Sequence, residues 1–306
     1  MSITLIERQN APMASRLTLL LVAACMSAPI SAQLDGVIDV HVHNAPDSRA
    51  RSLDAFEVAR MARRMHMRAV VMKNHYVPTA SLAYLVAQIV PEVQFFGGIA
   101  LNSTVGGINP ASVEHMALTT GGHGKIVWLP TYDSEHNNLT VEANSLYVPV
   151  MRDGRPVPEL LRVFELMAQY DLSLATGHSS PDESLALIPI ARAAGIERII
   201  VTHPESALVK MPLAQQQQAA ELGAWLEYPI GVALPPNAMS FEDFTARIRA
   251  VGPEHVILST DLGQVMRPTP ADGLLGYINA MRAAGFTQVE LDLMTKQNPA
   301  RFLGLD

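Results

Sequence analysis

A short apolar segment with two histidines, residues 36–43, constrains this chain more than any other feature. It reads GVIDVHVH, which is rich in β-branched residues and therefore predicts a strand. Because side chains alternate between the two faces of a strand, we expect His41 and His43 on the same side. Two imidazoles that leave one strand end together make half of a metal-binding shell. The alternative is a half-buried strand whose two histidines bind no metal.

Strand-like and helix-like segments alternate along the remaining sequence, which is typical of βα units around a parallel sheet. Eight such units in ~270 residues predict a (β/α)8 TIM barrel that forms a single domain. A doubly wound open sheet is the alternative, but no glycine-rich phosphate loop follows the first strand. Segment 130–156 is polar and is predicted to be irregular. The predicted strands span residues 36–43, 68–73, 93–101, 125–129, 172–176, 198–202, 224–228 and 255–260.

The composition argues against several classes of protein. With 49% hydrophobic and 17% charged residues, the 306-residue chain is expected to be globular with a sizeable core. A formal net charge of -7 and the lack of a Lys/Arg run argue against binding to nucleic acid or to an anionic membrane surface. A small-molecule substrate is therefore the expected partner. The oligomeric state is left open, with a homo-oligomer as one option.

The N-terminal residues have the pattern of an export signal. An apolar run over residues 17–26 follows Arg16, is too short to span a bilayer, and gives way to small residues that end at Ala32. This pattern predicts a signal peptide over residues 1–32 and a periplasmic or secreted barrel domain over residues 33–306. The alternative is a lipoprotein signal, since Val-Ala-Ala precedes the single cysteine, Cys25, which would then carry a lipid anchor. No transmembrane segment and no intrachain disulfide are expected.

Histidines and an aspartate follow the predicted strands at the ends where the βα loops begin. In a barrel of parallel strands these ends share one rim, and catalytic groups lie there. Side chains that are far apart in the sequence are therefore expected to meet. The five metal-competent residues are His41 and His43 after strand one, His178 after strand five, His203 after strand six and Asp261 after strand eight. Chance placement of all five is improbable, which favours the metal site.

With these motifs the chain resembles the amidohydrolase superfamily of metal-dependent hydrolases. It also resembles a group of predicted amidohydrolases with Lys-Asn-His after strand two. The resemblance implies a (β/α)8 barrel in which His41, His43 and His178 bind the metal. It implies that Asp261 is both ligand and proton shuttle, and that His203 is a further ligand or stabilises the transition state. The matching residues are His41-Val42-His43, Lys73-Asn74-His75, Gly177-His178, Thr202-His203-Pro204, Thr260-Asp261 and Asn298-Pro299-Ala300-Arg301.

One position departs from the superfamily pattern. Members with two metals commonly bridge them with a carboxylated lysine or a glutamate at the end of strand four, where this chain has Trp128-Leu129-Pro130. Lys73 lies at a catalytic strand end, but on strand two. We expect it either to be carboxylated and bridge two metals, or to stay cationic and hold a substrate carboxylate or oxyanion. We favour the cationic role and one tightly held metal.

The expected ligands define the expected chemistry. Neutral imidazoles and a carboxylate suit Zn²⁺, although Mn²⁺, Fe²⁺ and Ni²⁺ accept the same ligands. Such a metal lowers the pKa of a water molecule to about 7. Asp261 would take the proton and pass it to the leaving group, while Lys73 or His203 stabilises the oxyanion. The predicted reaction is hydrolysis of an amide, lactone or ester bond of a small molecule. The candidate substrate contacts are His75, Trp128 and His136.

Two other functions fit the same sequence. A metal-dependent decarboxylase, which is a lyase, would use the same His/Asp shell with a Lys or Arg that holds the substrate carboxylate. A non-catalytic exported binding protein would keep the barrel and bind without turnover, but it would have little use for Asp261. Asp39, two residues before His41, is expected to point inward and to orient a ligand histidine.

Overall fold

A computed structural model describes residues 34–140, 147–235 and 239–305. These residues form a barrel of eight parallel strands in sequential order, with helices outside it, which confirms the predicted (β/α)8 fold. A parallel bridge between Val42 and Leu262 joins the first strand to the segment that follows the last strand. The strands are β1 Ile38–His43, β2 Ala69–Lys73, β3 Gln94–Ala100, β4 Gly124–Trp128, β5 Ser173–Ala175, β6 Ile199–Val201, β7 Trp225–Pro229 and β8 Val256–Ser259.

The helices lie outside the barrel strands. A π-helical turn, Leu293–Gln297, connects the last two helices, and 3-10 turns lie at Ser103–Val105 and Pro253–His255. The α-helices are α1 Ala55–Arg64, α2 Ala80–Ile89, α3 Pro110–Ala117, α4 Glu135–Thr140, α5 Pro158–Gln169, α6 Pro181–Ala193, α7 Leu213–Glu221, α8 Ile230–Ala233, α9 Phe241–Val251, α10 Pro270–Ala283, α11 Gln288–Asp292 and α12 Asn298–Leu303.

Segment 130–156, in the residues that the structure describes, is more regular than its polar sequence predicts. It contains the short helix α4 and a small antiparallel hairpin, Met151–Arg152 with Arg155–Pro156. Asp133 accepts hydrogen bonds from Ser103, one of them from its backbone N–H at 2.8 Å, so the segment is tied to the loop after β3. The expectation of an irregular segment was therefore wrong for the described residues, where local side-chain bonds replace the missing apolar pattern.

Capping side chains define where several helices begin. Asp54 starts α1 with a capping box, in which it accepts from the Glu57 N–H at 2.7 Å while Glu57 accepts from the Asp54 N–H at 2.8 Å. Ser180 and Glu183 form the same arrangement at the start of α6, directly after the β5 loop. Each cap satisfies helix N–H groups that have no partner within the helix.

Two apolar layers form the core. The outer layer lies between the strands and the helices, and the inner layer fills the barrel and packs on α12, which covers its base through Phe302. The pairing of β1 with β2 shifts register between Asp39 and Val42. Ile38 before the shift and Val40 within it belong to the inner layer, whereas Val42 after it belongs to the outer layer. The shift therefore turns His41 and His43 toward the barrel interior.

The expected export signal, residues 1–32, and Cys25 lie outside the described residues. Within the described ranges, none of the helices combines the length and apolar character needed to cross a bilayer.

Candidate metal centre

Asp261 is the centre of a cluster at the carboxyl ends of the strands. Its Oδ1 lies 3.0 Å from His43 Nε2 and 3.1 Å from His41 Nε2. The ligand-type atoms of these three residues lie within 4.8 Å of one another. Backbone pairing holds the cluster together, because the Asp261 N–H donates to the His41 carbonyl at 2.9 Å. The barrel closure thus brings together residues from the two ends of the described chain.

Glu227 was not predicted as a site residue, yet it contacts His41 directly. Its carboxylate lies 2.7 Å from His41 Nδ1 and accepts from Ser259 Oγ at 2.8 Å, and its side chain is only 2% exposed. A carboxylate on one imidazole nitrogen fixes the ring and leaves the other nitrogen to bind a metal. The sequence signal was a single acid within the apolar strand β7, which is unusual unless the acid is paired.

Asp39 lies beside the cluster but does not contact an imidazole ring. Its carboxylate accepts from the backbone N–H of His41 at 3.2 Å and from the hydroxyl and backbone N–H of Thr260 at 2.7 and 3.1 Å. Burial raises the pKa of Asp39 to about 6, although these hydrogen bonds oppose the rise. Asp39 therefore joins the backbones of β1 and β8, whereas Glu227 has the ring-orienting contact expected of Asp39.

Lys73 is buried at the end of β2, beside the cluster. Its side chain is among the largest that are fully buried, and Nζ lies 3.0 Å from His41 Nε2. Nζ is also 5.2 Å from the centre of the Trp128 ring. Burial lowers the pKa of Lys73 to about 8, although the Asp261 and Glu227 carboxylates oppose this change. At neutral pH the ammonium form therefore predominates, with a larger neutral fraction than in an exposed lysine.

His178 and His203 follow β5 and β6 and face the same interior. Their ring centroids are 5.0 Å apart, and the His203 ring is 6.2 Å from that of His41. Neither belongs to the group of three whose ligand atoms lie within 4.8 Å. Within the described ranges, the buried Nδ1 atoms of His178, His203 and His43 have no hydrogen-bond partner. Buried nitrogens without a protein partner are suited to a ligand.

Burial and charge divide the histidines into two kinds. Burial lowers the pKa of His43 and His203 to about 4, and it lowers the pKa of His75 and His178 well below the usual value. These imidazoles are neutral and keep a lone pair for a metal. Burial would also lower the pKa of His41, but Asp261 and Glu227 raise it to about 9. The carboxylates that attract a proton there would equally attract a cation.

The three predicted substrate contacts lie in different surroundings. His75 is buried, its Nδ1 lies 2.9 Å from Thr131 Oγ1, and its ring centroid is 5.0 Å from that of His43. Trp128 is buried beside Lys73 in the inner core layer. His136 lies half-buried on α4 and is not among the residues that line the central cavity.

A cavity of about 360 Å³ opens onto the cluster. That volume is at the lower end of the range for small-molecule sites. The side chains that line it include His43, Lys73, His75, His178, His203 and Asp261, together with Arg49, Arg51 and Arg267. All of the predicted metal ligands except His41 thus border one space, and His41 contacts Asp261 directly behind it.

A divalent cation fits these donors. Two imidazole nitrogens point at one carboxylate oxygen, Glu227 orients one of the imidazoles, and further buried nitrogens have no protein partner in the described residues. Imidazole and carboxylate are the donors that divalent metals such as Zn²⁺ accept. The fold and this cluster together define a metal-binding (β/α)8 barrel with its site at the carboxyl ends of the strands.

The chain belongs to the family of unknown function DUF6282, whose model matches residues 36–227. The matched region contains β1 to β6 and ends at Glu227, so Asp261 lies beyond it. A search of curated proteins found no match.

Solved structures share the fold. An organophosphorus hydrolase from Deinococcus radiodurans is 16% identical, with a TM-score of 0.60 over 90% of this chain and 94% of that one. A protein from the engineering of organophosphate hydrolysis activity in a weak promiscuous lactonase template is also 16% identical, with a TM-score of 0.59 over 90% and 98%. A mutant of a PTE-like lactonase from Deinococcus radiodurans has the same identity and a TM-score of 0.58 over 90% and 98%. At this identity the likeness concerns the fold.

Proposed function

We propose that this protein is a metal-dependent hydrolase that cleaves an ester, lactone or amide bond of a small molecule. The observation that carries the proposal is the meeting of His41, His43 and Asp261 beside a cavity, with one imidazole oriented by a buried glutamate. The similar solved structures include an organophosphorus hydrolase and a lactonase mutant, which supports hydrolysis of ester or lactone bonds. Zn²⁺ is the metal we propose.

The proposed ligands are His41, His43 and Asp261, with His178 and His203 completing the set. A divalent cation held there supplies Lewis-acid polarisation and lowers the pKa of a water molecule. Asp261 has its Oδ1 against both β1 histidines and is 23% exposed, so its carboxylate can accept a proton from the cavity and return it to a leaving group.

Lys73 is proposed to act as a cation. Its Nζ borders the cavity, so it can donate hydrogen bonds to an oxygen on which negative charge develops. The alternative is a carboxylated Lys73 that bridges two metals. Three features fit it equally: the lysine is buried, its pKa is about 8, and it lies beside His41.

Lys73 also favours a second candidate function, a metal-dependent decarboxylase on the same scaffold. A buried ammonium beside the ligands could hold a substrate carboxylate while carbon dioxide leaves. Product analysis in ¹⁸O-water separates the two functions. Incorporation of ¹⁸O into the product supports hydrolysis, whereas release of carbon dioxide without incorporation supports the lyase.

The decisive experiment measures metal content per chain and turnover of an ester and lactone panel before and after chelation. We expect about one metal per chain, and activity that is lost on chelation and restored by Zn²⁺. Lys73→Ala should keep one metal if the lysine is cationic, and should lose metal if it bridges a pair. A wild-type protein that binds no metal even after supplementation would contradict the proposal.

Export of the chain, with or without a lipid anchor at Cys25, remains a proposal that rests on the sequence of residues 1–32 alone. The homo-oligomer likewise remains a proposal, for which size-exclusion chromatography with light scattering is the direct measurement.

A further inference from the structure

We infer that the substrate carries an anionic carboxylate or phosphate group, which Arg49 and Arg267 bind at the cavity mouth. This inference rests on the proposed function for the location of the reacting bond, but its own evidence is the charge and packing of the mouth.

The cavity lining is mainly positive, whereas the chain as a whole is negative. The chain as a whole has 29 acidic and 22 basic residues, which gives a formal charge of -7. Among the charged residues that line the cavity, four are basic and only Asp261 is acidic; the four are Arg49, Arg51, Lys73 and Arg267. A concave site of one charge sign attracts ligands of the other sign, and a bound metal would add to the positive charge.

Arg49 is held by aromatic rings and not by a carboxylate. Its Nε donates to Tyr76 Oη at 3.0 Å, and its Cζ lies 4.1 Å from the centre of the Tyr132 ring. No acid among the described residues forms an ion pair with its guanidinium. Stacking on a ring fixes the plane of a guanidinium but leaves its full charge for a ligand.

Arg267 is held by a backbone carbonyl. Its Nη1 donates to the Gly231 oxygen at 2.8 Å, and again no acid in the described part of the chain pairs with it. A Cβ added at Gly231 would lie 3.0 Å from the Thr260 oxygen and 3.2 Å from the Asp261 oxygen, so Gly231 packs closely on the strand that carries Asp261. Arg267 is therefore anchored one contact away from the metal cluster.

Arg51 lines the same cavity but forms an ion pair with an acid. Its Nη2 and Nε lie 2.6 and 2.7 Å from Asp47 Oδ2, so its charge is already balanced. Arg49 and Arg51 lie two residues apart in one loop, yet only Arg51 has an acidic partner. Arg51 therefore stabilises the loop through its ion pair, whereas the charge of Arg49 is available to a ligand.

Arg49 and Arg267 line the same cavity from two loops that pair with each other, the loop after β1 and the loop after β8. Tyr132, on which Arg49 stacks, has its ring centroid 4.5 Å from that of His75 and 5.4 Å from that of His178. Arg267 approaches from the loop after β8, next to Asp261. An anionic group at the mouth would thus hold the substrate while its scissile bond lies deeper, against the metal ligands.

Kinetics on the Zn²⁺-loaded protein test the inference with three 4-nitrophenyl esters that share one reacting group. The pentanoate ester is neutral, the glutarate monoester carries a carboxylate, and the 4-phosphonobutanoate ester carries a phosphonate. We expect kcat/KM for at least one anionic ester to exceed that of the neutral ester by about tenfold or more, as a charge-assisted pair implies. The better anionic ester identifies which group the arginines prefer.

Substitutions test whether the two arginines cause the preference for anionic esters. Arg49→Gln and Arg267→Gln should each reduce the anionic-to-neutral ratio by about tenfold and leave zinc content unchanged. Arg162→Gln is the matched control, because Arg162 is exposed on α5 and pairs with Glu165 at 2.7 Å. Isothermal titration with glutarate and with neutral glutaramide gives a readout that needs no turnover, and glutarate binding should weaken in the same two variants.

The outcomes separate this inference from the proposed function. Hydrolysis of all three esters without an anionic preference would keep the hydrolase and overturn the anion site. Failure to hydrolyse any ester, combined with glutarate binding that depends on Arg49 and Arg267, would overturn the hydrolase and keep the anion site. Equal binding of glutarate and glutaramide, or equal effects of the Arg162 variant, would overturn the inference.

Discussion

The two sides of the metal centre are built differently. On the side where β1 meets β8, the side chains bind one another: Asp39 holds Thr260, and Asp261 contacts both His41 and His43. We call this side the closing seam. On the opposite side, His178 and His203 follow β5 and β6, and their buried Nδ1 atoms have no hydrogen-bond partner in the described residues. His43 lies between these cases, because only its Nε2 is paired.

The protein itself organises only one of these two sides. A buried polar atom without a partner costs about 1–3 kcal/mol, so the β5–β6 side is destabilising until a ligand or water contacts it. The side chains of the closing seam are already paired with one another, so they can fix the geometry of the metal ligands before a metal binds. We therefore expect substitutions in the seam to affect activity and stability, and substitutions on the β5–β6 side to affect mainly metal affinity.

The largest effect is expected for Asp261→Asn. The amide keeps the shape but cannot accept a proton, and it is a poorer ligand, so kcat should fall by about 10³-fold, within the range for general acid–base groups. Steady-state kinetics and metal analysis on the same preparations measure both losses. Asp153→Asn is the control, since Asp153 is exposed in the hairpin turn, in a positive-φ conformation that Asn also tolerates. Wild-type kcat in Asp261→Asn would contradict the central role of the seam.

A smaller effect is expected for Glu227→Gln. The substitution removes the charge 2.7 Å from His41 Nδ1, so zinc affinity should weaken by about 10- to 100-fold. Competition with a chromogenic chelator measures the affinity. Glu254→Gln, at a position that is 65% exposed, should leave it unchanged. An unchanged affinity in Glu227→Gln would show that His41 needs no carboxylate to hold its orientation.

The free energy of unfolding of the metal-free protein allows a direct comparison of the closing seam with the β5–β6 side. Thr260→Val removes the 2.7 Å bond to the buried Asp39 carboxylate and should lower the free energy of unfolding by about 1–3 kcal/mol. His178→Leu removes an unpaired buried nitrogen, so the free energy of unfolding should stay within about 1 kcal/mol or rise. Urea denaturation of chelator-treated protein measures both. If His178→Leu proved the more destabilising, the distinction between the two sides would fail.

The smallest effects are expected at two helix caps. One lies in the loop after β1, on the seam side, and the other lies in the loop after β5. Asp54→Ala and Ser180→Ala should each lower the free energy of unfolding by about 1 kcal/mol, because each breaks a capping box. Ser180 lies two residues after His178, whose ring has no Nδ1 bond to hold it, so only Ser180→Ala should also weaken zinc binding by a few fold. Equal zinc affinities in the two variants would mean that the β5 loop holds His178 without its cap.

The fold could be predicted from the sequence because strand and helix patterns alternate with little ambiguity, and each predicted strand overlaps an observed one. The convergence of His41, His43 and Asp261 follows from that fold, since parallel strands bring their carboxyl ends to one rim. The turn of His41 into the barrel depends on a register shift in β1, which simple alternation does not contain. Alternation predicted that His41 and His43 share one side, but it could not predict the shift, which depends on the pairing of β1 with β2.

Other features could not be predicted because they depend on contacts between distant strands. Glu227 sits in an apolar strand with no motif around it, and its role follows from the approach of His41 across the barrel. The pairing of Arg51 with Asp47, which leaves Arg49 free, depends on how one loop folds. Helix α4 forms in a segment that lacks an apolar period, so its pattern gave no sign of it.

The closing seam joins residues that are 218 positions apart in the chain, His43 and Asp261. A cation held by both would act as a removable crosslink between the first and the last strand, and such a link restricts the unfolded chain more as the enclosed loop grows. All eight strands precede Asp261 in the sequence, so translation reaches this residue only after β8 has been synthesised. Only a chain whose synthesis has passed β8 can therefore bind the metal with the full ligand set. A nascent chain that stops earlier lacks Asp261, the acid that completes this set.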